Sequence, residues 1–149
     1  MVEKKIEFIF RHPRTLPKKR QWLKMVENVV DFFSENNLIT SRLVRLNVVF
    51  VDKREIAQLN EKYRNKPEAT DVLSFLYEKN RDLLEGELII ALDIVKDNAS
   101  ADKIPWSKEL LKNIIHGLLH LAGYQHGPEM FAWQDKILTL YHDQFKEIN

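Results

Sequence analysis

Three of the five histidines in this 149-residue chain fall within one eleven-residue stretch, His116-Gly-Leu-Leu-His120-Leu-Ala-Gly-Tyr-Gln-His126. That stretch dictates much of its own structure. Leu110, Leu111, Ile114, Leu118 and Leu121 recur at helical spacing through it, which predicts an amphipathic helix capped by Ser107. On such a helix His116 and His120 stand one turn apart on one face, with Cβ atoms about 5–6 Å from each other. Gly123 reads as a left-handed stop. Its freedom lets the chain reverse and bring His126 back over the same point. Any fold for this chain must supply a helix, a tight reversal and room for a third imidazole.

Three neutral imidazoles converging on one point describe an open zinc-type site with a free fourth position. The chain has no cysteine, which excludes thiolate zinc sites, disulfides and cysteine nucleophiles. Two plainer readings stay open: a histidine trio without metal, and a structural ion whose shell is closed by a distant Asp or by His142. The spacing is also that of metzincin proteases, in which the residue after the first histidine is Glu. There the glutamate takes a proton from water and passes it to the leaving amine. Here the position is Gly117, which can do neither, so a substrate with a more readily departing group is implied.

The remaining segments predict a mixed architecture. Lys5–Phe10, the dense apolar run Leu43–Val51, Asp71–Tyr77 and Gly86–Ala91 read as strands. A helix is expected from Pro17 to the Asn36-Asn37 pair, carrying Trp22, Val26, Val29 and Phe33. Asp52 and Glu55 match a capping box for a short helix with Ile56, Leu59 and Tyr63. Further helices are expected over Ile94–Asp102 and from Pro128, the latter with Phe131, Ile137, Leu138, Tyr141 and Phe145 inward. Arg64–Thr70 reads as a polar loop and Asn80–Glu85 as a turn. Without strict strand–helix alternation, the expected class is α+β: one small mixed sheet of about four strands, five or so helices, and the sheet covered mainly on one face.

The length suits one domain spanning residues 1–149. Met1-Val-Glu-Lys-Lys places charge where a secretory signal needs apolar residues, and no long apolar run occurs, so a cytoplasmic protein without membrane contact is expected. Charge is uneven: residues 1–75 hold 15 Lys and Arg against 10 Asp and Glu, residues 76–149 hold 8 against 12. Arg11, Arg14, Lys18, Lys19, Arg20 and Lys24, flanked by Phe10 and Trp22, form a basic run that reads either as a solvated helix face or as a track for a nucleic-acid backbone. Asp71 is either a partner to a histidine or a strand-end residue satisfying backbone donors. Ser74 has no neighbouring base and is not expected to act as a nucleophile. Phe131, Trp133 and Tyr141 read as core, and His12 and His142 are unassigned.

The histidine stretch resembles the signature of the YbeY family, bacterial endoribonucleases acting in ribosomal RNA maturation. Leu59-Asn-Glu-Lys-Tyr-Arg64 through Ala69-Thr-Asp-Val-Leu-Ser-Phe75 is similar to a second characteristic stretch of that family, and Gly86-Glu-Leu-Ile-Ile to a third. The resemblance implies an α+β fold and a Zn2+ or other divalent transition metal held by His116, His120 and His126. It further implies cleavage of single-stranded RNA, with Arg64 and His116 as catalytic residues. Arg64 opens the polar loop, where a guanidinium can clamp a phosphate bidentately or simply be solvated. The implied setting is ribosomal RNA processing and ribosome quality control, with ribosomal RNA and the ribosome or small-subunit assembly proteins as partners. One departure stands out: the family usually has Asp before the third histidine, and this chain has Gln125. Two alternative readings are a zincin-like metalloprotease lacking its glutamate and a non-catalytic ribosome assembly factor with a structural zinc.

Overall fold

The computed structural model describes residues 2–11, 16–64 and 71–141. In chain order the elements are β1 (Glu3–Phe10), α1 (Lys19–Glu35), β2 (Leu43–Val51), α2 (Lys53–Arg64), β3 (Val72–Lys79), β4 (Leu83–Ala91), α3 (Leu92–Asp102), α4 (Trp106–Leu121) and α5 (Pro128–Leu140). The expected α+β class holds, with a four-stranded mixed sheet in the order β1-β2-β4-β3. β1, β2 and β4 run parallel, and β3 pairs antiparallel to β4 as an edge strand. Among the described residues, no helix is long and apolar enough to cross a membrane.

Period-two patterning explains the two faces. In β2, Val44, Leu46, Val48 and Phe50 enter the large core with Trp22, Met25, Val26, Val29 and Phe33 of α1 and the apolar stripe of α4. The alternate residues Val49 and Val51 join a smaller cluster with Ile56, Leu73, Ile89 and Ala91, and Leu59 of α2 packs against it. Arg45 and Asn47 lie on that same outer face nearer the strand start, where Arg45 meets Glu85 at 3.2 Å. The sheet is thus covered mainly on one face, with α2 closing one end of the other.

Several predicted boundaries move, each for a local reason. Asp52 Oδ1 accepts from the Glu55 N–H at 2.7 Å, as the capping box requires. Ser107 is not a cap: α4 begins at Trp106 after an extended Pro105, and Ser107 is buried inside the first turn. The predicted turn Asn80–Glu85 is shorter, because Asn80 Oδ1 accepts from the N–H groups of Asp82 and Leu83, both at 2.9 Å. That side-chain turn lets β4 start at Leu83. Its first residues then pair with β2 from Leu43↔Leu83 onward.

β3 carries a bulge. Leu76 pairs with Gly86 and Glu78 with Glu85, leaving Tyr77 as an extra residue. The Tyr77 hydroxyl donates to Glu87 on the outer face. The extra residue puts Lys79 opposite Leu84 on the inner face. There its Nζ donates to the Ala122 carbonyl at the end of α4, at 2.7 Å. Strict alternation would have aimed Glu78 at that carbonyl-rich terminus, where a carboxylate is repelled and an ammonium attracted.

Candidate metal centre

The end of α4 forms the reversal predicted from Gly123. Ala122 terminates the helix, Gly123 takes φ +104°, the Gly123 N–H donates to His120 O and the Tyr124 N–H to Leu119 O, both at 3.0 Å. These two bonds satisfy carbonyls the helix leaves without partners and turn the chain back sharply. His126 thereby returns to the face bearing His116 and His120.

The three Nε2 atoms form a near-equilateral triangle: 3.1 Å between His116 and His120, 3.3 Å between His120 and His126, and 3.1 Å between His126 and His116. Two nitrogens each about 2.0–2.1 Å from a tetrahedral ion stand about 3.3 Å apart, so the triangle has the size that zinc requires. The other ring nitrogens settle the tautomers. His116 Nδ1 lies 2.8 Å from Gln134 Oε1, and His120 Nδ1 lies 2.9 Å from the Tyr124 carbonyl. Both partners are acceptors, so each Nδ1 carries the proton and each Nε2 presents its lone pair inward. Lone pairs aimed at one point suit a cation, and the residues fit a divalent ion of this class.

Burial favours the ligand form further. His116 is half-buried and its pKa is lowered, chiefly by desolvation; the Gln134 bond and the Asp71 carboxylate oppose that, while His126 and Lys112 add to it. Among the described residues, no fourth His, Cys, Asp or Glu joins the group. His126 is exposed and His116 and His120 are partly so, which gives solvent and substrate access to the open side.

Gly117 has a structural reason to be glycine. A Cβ there would lie 2.6 Å from Leu88 Cδ2 and 3.1 Å from Ser74 Oγ, so α4 presses on β3 and β4 through this residue. The position that carries the protease glutamate therefore points into the sheet here, and the missing base is a packing feature as well as a chemical one. Ser74 Oγ donates to Gly117 O at 3.3 Å, a tether rather than a nucleophile.

The other sequence-predicted residues are spread around this centre. Arg64 is the last residue of α2; its side chain, with residues 65–70, lies outside the described residues, as do His12, Arg14, His142 and Phe145. The chain resumes at Asp71, whose carboxylate favours the protonated form of His116. Asp71 also accepts at its backbone oxygen from Ala91 N, at 3.1 Å. Gln125 is exposed and lines a surface depression with Asn37, Tyr124 and Glu129. In the basic run, Arg11 pairs with Glu55 at 3.0 Å and Lys19 lies over the Phe10 ring, while Trp22 is fully buried in the core.

Two residues differ from expectation or were missed. Phe131, expected in the core, is exposed because α5 turns Met130, Gln134 and Ile137 inward instead. Gln134 gave no signal in the sequence. It matters because α5 crosses α4 and delivers a buried amide to His116.

Comparison with known proteins places the chain among relatives of one family. The sequence profile of the family described as Endoribonuclease YbeY matches residues 9–142. The Endoribonuclease YbeY proteins of Staphylococcus aureus strains JH9 and Newman are each 34% identical to this chain, covering 83% of it and 88% of their own length. The solution structure of TM1509 from Thermotoga maritima superimposes with a TM-score of 0.61 at 29% identity, covering 95% of this chain and 93% of that one.

Proposed function

The chain belongs to the YbeY endoribonuclease family, and from that premise we propose that it is a metal-dependent endoribonuclease cleaving single-stranded RNA, with His116, His120 and His126 as the metal ligands. The observation that carries this reading is the inward-facing Nε2 triangle at 3.1–3.3 Å, with two of its three rings fixed through Nδ1. In this reading residues 1–149 act as one domain in the cytoplasm. The substrate is ribosomal RNA during its processing and ribosome quality control, and the ribosome or small-subunit assembly proteins are partners. Zn2+ is the ion whose ligand preference and size match the donors best.

A bound divalent ion would supply a Lewis acid toward the phosphoryl group. The protein's own part is to hold that point fixed: Gln134 and the Tyr124 carbonyl lock two imidazoles, and the Gly123 reversal presents the third. Arg64 pairs with non-bridging phosphate oxygens and neutralises charge that grows as the P–O bond breaks. Gly117 contributes no carboxylate, so proton transfer relies on other groups, and attack by a neighbouring 2′-hydroxyl is a route alongside attack by water. A protease reading is disfavoured by the inward-pointing position 117.

The test is RNA cleavage by zinc-loaded protein, chelator-stripped protein, His120→Ala and Arg64→Ala from nuclease-free preparations. Loss of cleavage in the last three supports the reading; equal cleavage by all four refutes it. Replacing the RNA by its 2′-deoxy counterpart separates the two routes, since only water attack survives. A structural-ion assembly factor predicts instead that the chelator melts the fold, whereas an open site loses activity first.

A further inference from the structure

We propose that Phe131 is a substrate-positioning residue whose exposed ring stacks a nucleobase flanking the scissile phosphate; the proposal rests on the reading of RNA as the substrate. Of the seven described phenylalanines, Phe131 is the one exposed to solvent, at 44%. The others are buried or partly covered, as expected for a large apolar side chain. Its place makes the exposure meaningful. The ring lies parallel to the His126 imidazole within 16°, with centroids 6.1 Å apart. It therefore stands beside His126, the exposed member of the histidine triangle. The first turn of α5 is well defined: Pro128 sits at its start and the Phe131 N–H donates to Gly127 O at 3.1 Å. An aromatic face held on a regular helix loses little freedom on binding. Every nucleobase has a π-face, so such a platform suits a strand read without strict sequence preference. On α5 the exposed carboxylates of Glu129 and Asp135 outnumber the exposed ammonium of Lys136, which favours a base over a phosphate here.

The rival explanation is that Phe131 merely props His126. Three measurements separate them on the zinc-loaded protein. Anisotropy of a labelled short single-stranded RNA of mixed sequence gives binding without requiring cleavage; Phe131→Ala should weaken it about 5–100-fold and Phe131→Trp should preserve it. Cleavage kinetics on the same RNA, and on versions with an abasic site at each position near the cut, should give one position at which wild type loses activity and Phe131→Ala loses nothing further. Zinc affinity should be equal in wild type and Phe131→Ala.

A Phe131→Ala protein that binds RNA like wild type, shares its abasic profile, or loses zinc affinity in step with activity overturns the proposal. Failure of the functional reading looks different. If wild type does not cleave RNA yet binds it in a Phe131-dependent way, stacking stands and the hydrolytic assignment falls. Histidine-dependent cleavage indifferent to Phe131 gives the reverse, and no RNA binding by wild type sinks both.

Discussion

Replacing Gln134 by leucine removes the acceptor that fixes His116 while keeping side-chain volume close. The bond lost is 2.8 Å long and Gln134 as a residue is only 8% exposed, so water is poorly placed to substitute. Loss of an outer partner to a metal-binding imidazole typically costs about 10–100-fold in metal affinity, or about 1.4–2.8 kcal/mol at 1.4 kcal/mol per decade. Gln134→Leu should therefore bind zinc about 10–100-fold more weakly in a chelator competition at neutral pH, whereas Gln134→Glu, which keeps an acceptor, should bind at least as tightly as wild type. The metal-free protein offers a second readout. The Gln134 bond raises the His116 pKa against the larger lowering by burial, so the leucine variant should shift that pKa lower still. With the folded value below the unfolded one, the unfolded chain takes up a proton that the folded chain declines. Stability of the metal-free protein is then lost as pH falls from about 6.5 through the folded value, over a wider window in Gln134→Leu. A well-folded Gln134→Leu protein with wild-type zinc affinity would refute the reasoning.

Gly117→Glu should not create a peptidase; overpacking against fully buried Leu88 together with a buried carboxylate should cost about 3 kcal/mol or more, and wild-type stability in urea would contradict this. Lys79→Ala should lower stability by about 0.3–1 kcal/mol through the lost charge at the end of α4, with the difference shrinking in high salt; an increase in the denaturation midpoint would count against it. The Tyr77 hydroxyl, held by Glu87 first and by burial second, has its pKa raised to about 12. Ultraviolet titration should show a late tyrosinate phase that Tyr77→Phe removes. The stability from this bond is present below the unfolded pKa of about 10 and is lost as pH rises through the folded value.

What the sequence made legible follows from where the signal is local. The dense apolar run Leu43–Val51, the stripe of α1 and the His116–His120 spacing each belong to one element, and each reappears as read. Gly123 was equally readable, because its positive φ serves a reversal three residues long. The misreadings lie where distant segments decide. Ser107 looks like a cap until Pro105 starts the helix first. Leu83–Glu85 looks like turn until pairing with β2 recruits it. Gln134 is invisible because its value depends on α5 crossing α4, and Phe131 breaks its own helix's stripe because α5 turns other residues inward.

The extra residue in β3 also has a consequence for sequence drift. Removing Tyr77 alone would convert the bulge into a regular ladder while leaving Leu76 and Lys79 on the inner face and Glu78 on the outer. A deletion anywhere in Val72–Phe75 would instead flip the residues before it to the wrong side. β3 thus has one position at which chain length is negotiable, and shortened homologues, where they arise, should have lost their residue there.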